Sequence, residues 1–370
     1  MVPTIFKQAE RHLREQLPFV LYRKPKTAVL NGLFQNDDKI HTIKDFKESG
    51  FVFAPFDDKA PSILLYPDNY VTEPLALKET SKDHVSFSNP IDGIEKSEYK
   101  NMVKRAVAGI ESGEYRKVVL SRKKEVSIIK SAIAIFKELV QLYENALCYV
   151  WYHPRIGTWL GATPEILLKT RGTAFTTMSL AGTKLINGID NKPIWEEKEL
   201  HEQRLVTEFI ESVLKEKSLK MEVGELETVR AGHLWHLRTK ISGEYERNKI
   251  GELITALHPT PAVCGFPKAE AKEFILQNES YTRSYYTGFL GELNFKNERS
   301  RNTNNRNKEN SAYRSITTCS ELYVNLRCMQ IVDNKAIVYV GGGITFDSDA
   351  ENEWEETENK SLTMLKAVMT

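Results

Sequence analysis

Glu353 and Glu356 stand three residues apart in the segment ENEWEETENK, so a helix there places both carboxylates on one face. Like charges at that spacing repel unless a cation lies near them, and Lys360 follows four residues after Glu356 on the same face. Taken alone, this is the pattern of a solvated acidic face with a surface ion pair. Glu202, in KELHEQRLV, lies beside the apolar stripe of a second helical segment. If the two helices converge, Glu202 and Glu356 supply the one or two carboxylates that a Mg²⁺ ion usually takes, water and substrate filling its other positions.

Lys117 opens the strand-like run KVVLSR, where alternation puts Lys117, Val119 and Ser121 on one face. A strand lysine is usually a solvated edge residue. Enclosed in a pocket, a lysine loses hydration and can serve as a base near neutral pH. Glu165, in ATPEILL, follows a proline turn and by itself reads as a turn carboxylate. Arg327 is flanked by Leu326 and Cys328 in the apolar run ELYVNLRCMQIV; a guanidinium there needs a partner, and a substrate carboxylate held in a bidentate fork is one candidate. Gly182 in LAGT and the glycines Gly341 to Gly343 allow backbone N–H groups close to an anion. His233 and His236 are three apart, but in a strand that spacing sends them to opposite faces, which disfavours zinc. His258, just before a proline, suits a structural hydrogen bond.

The elements that would position these residues follow from periodicity. TAVLNGLF, FVFAPF and SILLYP in the first hundred residues read as sheet pieces. Helical stripes are predicted over Ser97–Ser112, Ile129–Tyr143, Lys198–Lys215, Lys268–Asn278 and Asn352–Met369. Strands are predicted at KVVLSR, ALCYVWYH, WLGATPEILLKT, AFTTMSLAGT, HLWHLRTKISGEY, GFLGELNF, ELYVNLRCMQIV and AIVYVGGGI. The stretch from Lys296 to Ser311 is polar, Asn-rich and aperiodic, the pattern of a mobile hairpin insertion. Strands outnumber helices and several pair as hairpins, so the expected class is α/β in the α+β sense, with a largely antiparallel sheet system. The glycine cluster lacks GxGxxG spacing, and no P-loop or GxSxG elbow occurs.

With 51 basic and 50 acidic residues among 370, the chain has no global field to attract nucleic acid or an anionic membrane. An anionic substrate must be drawn in by a local cluster. No run approaches the roughly 18 apolar residues of a membrane span, and charges interrupt the first residues before a signal-peptide core can form. Four cysteines, Cys148, Cys264, Cys319 and Cys328, are too sparse for a disulfide framework and point to a reducing cytoplasm.

In order along the chain stand KVVLSR, TPEILL, SLAGT, HEQRLV, LWHLRTKISG, LHPTPAVCGFP, ESYTRSYYTGFLGELN, LYVNLRCMQI and VYVGGGITFDSDAENEWEETENK. From about Met102 to the C-terminus this series resembles the chorismate-utilising enzymes: isochorismate synthases, salicylate synthases, the large subunit of anthranilate synthase and aminodeoxychorismate synthase. The resemblance implies one domain over residues 1–370, with two large, mostly antiparallel sheets packed together and helices outside. About residues 1–100 would complete the sheets, and 102–370 would carry the chorismate-binding part. It implies Glu202 and Glu356 as Mg²⁺ ligands with Glu353 nearby, and Arg327 and Tyr286 on the enolpyruvyl carboxylate. Gly182, Thr183, Gly341 and Lys360 become further substrate contacts, and His236 lines the site.

Two positions separate the family's members. Position 117 is glutamine in anthranilate synthases, which take ammonia, and lysine in the enzymes that attack with water, because water needs a base and ammonia does not. The residue before the glycine of LAGT is a lysine nucleophile in aminodeoxychorismate synthases, whereas this chain has Ala181. These two positions point to the enzymes that use water, and the turn LHPTPAVCGFP follows the isochorismate synthase style more closely, so the resemblance implies an isochorismate synthase, a Mg²⁺-dependent isomerase. In it, neutral Lys117 activates water for attack at C2, and protonated Glu165 donates to the departing C4 hydroxyl. Salicylate synthase, which goes on to eliminate pyruvate, is the second reading, and anthranilate synthase the third. A monomer without an obligate glutaminase is expected, its product serving menaquinone synthesis, with siderophore synthesis the other use.

Overall fold

A computed structural model of the chain describes residues 4–75, 93–186, 193–231, 234–299 and 315–369. Its elements in chain order are α1 (Ile5–Glu15), β1 (Phe19–Arg23), β2 (Val29–Phe34), β3 (His41–Thr42), β4 (Gly50–Ala54), β5 (Ile63–Leu65), β6 (Asn69–Pro74), α2 (Gly93–Glu111), β7 (Lys117–Ser127), α3 (Ala132–Leu142), β8 (Leu147–His153), β9 (Gly157–Thr163) and β10 (Ile166–Arg171). There follow β11 (Ala174–Leu185), α4 (Glu197–Lys215), β12 (Ser218–Ala231), β13 (Leu234–Tyr245), α5 (Ile250–Leu257), β14 (Gly265–Phe266), α6 (Lys268–Asn278), β15 (Phe289–Arg299), β16 (Ser315–Val324), β17 (Cys328–Val332), β18 (Lys335–Ile344) and α7 (Ala350–Met369).

The strands form two nine-stranded antiparallel sheets, ordered β14-β7-β18-β17-β9-β8-β1-β2-β6 and β12-β13-β11-β10-β16-β15-β4-β5-β3. The single-domain α/β architecture expected from the sequence is the one found. The first hundred residues extend both sheets: β1 pairs with β8, and β4 pairs with β15.

Alternation along the strands separates the two faces. In β1, Phe19 and Leu21 pack outward against α1 and α3, whereas Val20 and Tyr22 face the second sheet. Trp151, Trp159, Phe51, Phe53, Leu290 and Tyr323, drawn from both sheets, fill the space between them. Helices α4 and α5 cover the outer face of the second sheet through Val206, Ile210, Leu253 and Leu257. Burial on both faces is why FVLYR and LCYVWYH read as unbroken runs rather than alternating ones.

The run ELYVNLRCMQIV, expected as one strand, is two. It breaks at Asn325–Arg327, where β16 of the second sheet hands over to β17 of the first. Arg327 takes a positive φ of 47° at this crossing, a conformation that periodicity does not reveal. Thr163–Glu165 makes the reverse crossing, from β9 to β10. Hydrogen bonds tie the two crossings together: Val324 N–H donates to the Glu165 carbonyl at 3.0 Å, Ala162 N–H to the Arg327 carbonyl at 3.0 Å, and Thr163 Oγ1 to the Val324 carbonyl at 2.6 Å.

Helices α1 and α5 and strands β1, β3, β6, β12 and β14 were not anticipated. In α1, the charges of ERHLRE mask an apolar stripe that includes the buried Ile5 and Ala9. In the Asn-rich segment, Lys296–Arg299 belong to β15, paired with the start of β16; residues 300–311 lie outside the described residues, as does His233. No helix among the described residues is long and apolar enough to cross a membrane.

Candidate active site

The two crossings open a cleft of about 810 Å³, counting its solvent-open part, between the sheets and the start of α7. Its walls include Glu165, Gly182, Thr183, Glu202, His236, Tyr286, Arg327, Gly341, Glu356 and Lys360. Of the candidates from the sequence, Lys117 and Glu353 do not line it; they stand directly behind its glycine wall. A Cβ on Gly343 would lie 3.0 Å from Lys117 Cε and would collide with Glu202 Oε1, and one on Gly342 would lie 3.1 Å from Glu353 Oε2. Glycine at these positions keeps the charged groups within reach of the cleft.

One wall is a relay of fixed dipoles. Strand β11 shifts register against β13 between Ala181 and Thr183, with Gly182 at φ 68°. This bulge turns the Gly182 carbonyl toward His236, whose Nδ1 lies 3.0 Å away. With Nδ1–H donating there, Nε2 accepts from Arg327 Nη2 at 2.7 Å. Burial pulls the Arg327 guanidinium down to about 10, opposed by Tyr143 and Glu165, so it remains a cation at neutral pH. A desolvated guanidinium facing a cleft is a carboxylate-binding group. Gly182→Ala would bring its Cβ to 3.2 Å from Glu199 Cβ and 3.3 Å from Leu237 Cδ1. Because left-handed backbone also penalises a Cβ, the variant is expected to be less stable by roughly 1–2 kcal/mol in urea unfolding.

A second part of the wall is acidic but compensated. Glu202 near the start of α4 pairs with Lys117 at 2.9 Å, and Lys117 is fully buried. Burial pushes the Glu202 carboxyl up, but Lys117, Lys360 and Lys198 outweigh it and hold it below the usual range. On α7, Glu356 pairs with Lys360 at 2.5 Å, and Lys360 Nζ donates to the Gly341 carbonyl at 3.0 Å. Glu353, 1% exposed, accepts from Lys198 at 2.9 Å and Ser348 at 2.7 Å, both through Oε1. Burial and the neighbouring Glu356 push its carboxyl up. Its Oε2 is buried without a hydrogen-bond partner among the described residues.

Glu165 also lines the cleft and is 3% exposed. Burial drives its carboxyl up to about 8, against the opposing charges of Lys117, Arg327 and Lys360. The turn carboxylate of the sequence is thus an enclosed acid, protonated at neutral pH.

Among the described residues no three His, Cys, Asp or Glu side chains are gathered into a ready metal cage. The donor set still suits Mg²⁺, which keeps several waters and takes only one or two carboxylates. Glu202 and Glu356 face the cleft, and the orphaned Oε2 of Glu353 lies behind them.

Other wall residues carried no signal of their own in the sequence: Ala262 and Val263 in the LHPTPAVCGFP turn, and Tyr339, whose ring stacks on Tyr286 at 5.4 Å. Arg283, paired with Glu279 at 2.5 Å, donates to the carbonyls of Val119 at 2.6 Å and Val263 at 2.9 Å, tying together two wall segments. The pattern ESYTRSYY contains this arginine, but only the fold reveals its reach. His258 Nε2 meets the Pro55 carbonyl at 2.9 Å, the structural hydrogen bond expected of it. Burial pushes the Cys264 thiol up to about 11, so it is no nucleophile.

Residues 68–300 match the family described as chorismate binding enzyme, and residues 312–366 match a second family of the same description. The isochorismate synthase EntC of Escherichia coli K12 is 28% identical over 361 residues, covering 92% of this chain and 85% of that protein. The isochorismate synthase DhbC of Bacillus subtilis is 29% identical over 344 residues, covering 85% of this chain and 79% of that protein. The structure of a putative 2,3-dihydroxybenzoate-specific isochorismate synthase from Bacillus anthracis superposes with a TM-score of 0.76 at 23% identity, covering 97% of this chain and 99% of that one. With the first match spanning more than half of its length, the chain belongs to the chorismate-binding enzymes.

Proposed function

We propose that the chain is an isochorismate synthase that adds water at C2 of chorismate as the C4 hydroxyl, protonated, leaves as water. The observation that carries this reading is Glu165: a buried carboxyl held protonated up to about pH 8 in the wall of a cleft that also presents Arg327 and Lys360. Such a group can donate a proton to a leaving hydroxyl without first acquiring one. Chorismate is a dianion, and Arg327 with Tyr286 would hold the enolpyruvyl carboxylate, while Gly182, Thr183, Gly341 and Lys360 would contact the rest. Lys117 would take the proton of the attacking water from behind the glycine wall. Ala181 leaves no amine at the position where a covalent route would need one.

Glu202 and Glu356, supported by Glu353, would hold the Mg²⁺ ion. When bound, that ion supplies positive charge for the ring carboxylate and for charge that develops in the transition state. Residues 102–370 would carry this chemistry, with the first hundred residues completing both sheets around it.

The test is product analysis. With chorismate and Mg²⁺, isochorismate should accumulate and be consumed when an isochorismatase is added. EDTA should abolish turnover, and excess Mg²⁺ restore it. Pyruvate and fluorescent salicylate formed by the enzyme alone would assign it instead to salicylate synthesis.

A further inference from the structure

Behind the cleft, three side-chain oxygens lie near Gly342, on the side where any other residue would carry its Cβ. A Cβ on Gly342 would lie 3.1 Å from Glu353 Oε2, 3.8 Å from Tyr99 Oη and 3.9 Å from Glu356 Oε1. Lys198 and Ser348 fix Glu353 through Oε1 and leave Oε2 without a partner among the described residues. Tyr99, on α2, is 2% exposed, and its hydroxyl is likewise buried and unpartnered among those residues. The ring itself is accounted for: it packs edge-on against Trp354 with centroids 6.0 Å apart. Phenylalanine would serve that contact equally well. The hydroxyl is the part that packing leaves unexplained, and two unsatisfied buried groups near the same glycine are unfavourable unless something joins them.

We propose that Tyr99 is a positioning residue of the carboxylate site, its hydroxyl and Glu353 Oε2 together holding one water of a divalent cation bound at Glu356. The inference rests on the cation reading given above. A phenol suits the place, since it donates to a water or carboxylate and stays neutral there: burial and the nearby Glu353 and Glu356 drive its ionisation far above the usual range. Groups of this kind orient ligands without touching the metal.

The test is Mn²⁺ binding followed by electron paramagnetic resonance, with the equilibrium mixture of substrate and product present, on wild type, Tyr99→Phe and Glu356→Gln. Wild type should bind, Glu356→Gln should not, and Tyr99→Phe should bind about tenfold more weakly. The metal-free melting temperature of Tyr99→Phe should equal or exceed that of wild type, because an orphaned hydroxyl has been removed. Mn²⁺ affinity equal to wild type in Tyr99→Phe overturns the proposal and leaves the cation reading standing. Absence of binding to wild type overturns both. Weaker binding together with a lower metal-free melting temperature assigns the hydroxyl to the fold and overturns the proposal.

Discussion

Replacing Lys117 with glutamine is expected to lower kcat for isochorismate formation by about 10²–10⁴-fold, the usual contribution of a positioned base. Lys117 is fully buried at the start of β7, beside the Gly343 backbone and 2.9 Å from Glu202 Oε1. Two roles fit that position: base, or counter-ion for Glu202. Glutamine removes both, so a second variant must separate them. Lys117→Arg keeps the positive charge beside Glu202 but cannot give up a proton near neutral pH. A base predicts that both variants fail, whereas a counter-ion predicts that arginine restores most of the rate. Thermal melts of both variants control for the loss of a buried ion pair, which alone can remove about 3–5 kcal/mol of stability. Undiminished turnover in Lys117→Gln would refute the assignment outright.

The helices that carry the carboxylates were legible in the sequence because their apolar stripes are long and regular: α4 and α7 begin within two residues of the predicted starts. The convergence of Glu202 with Glu356 was a conditional reading, since helix period fixes a face but not what the face meets. The break at Pro164 was legible as a turn, but that the chain changes sheet there was not, and the Asn325–Arg327 crossing was not legible at all. Leu326 and Cys328 on either side of Arg327 look like a continuing strand, and nothing in an apolar run marks the residue at which it changes sheet. Yet those crossings bring Arg327 and Glu165 into the cleft. The placement of Lys117 behind the glycines, rather than in the cleft wall, was likewise invisible, because alternation gives a strand face but not the depth of a side chain. Tyr99 was hidden for the same reason: its helix read as a stripe of core residues, and its hydroxyl gains meaning only beside Gly342 and Glu353.

Glu165→Gln is expected to lower kcat by about 10²–10⁴-fold and to remove an alkaline limb from the pH profile. In the folded protein, burial raises this carboxyl from 4.5 to about 8. A raised acid is protonated below that value, so proton donation is available through neutral pH and disappears as pH climbs past about 8. At pH 7, one unit below, the protonated form should lead by roughly ten to one. The Glu165 contribution to wild-type kcat/KM should therefore be level from about pH 6 to 7 and fall toward tenfold per unit above pH 8. Glutamine matches glutamate in size and keeps the neutral form that burial favours, so Pro164 and the Val324 hydrogen bond to the position 165 carbonyl should survive. What it lacks is an acidic proton. The residual activity of Glu165→Gln should no longer follow this limb. A limb that persists unchanged in the variant would move the acid role to another group, and a wild-type profile flat to pH 10 would mean that no proton from Glu165 is needed when the C4 hydroxyl leaves.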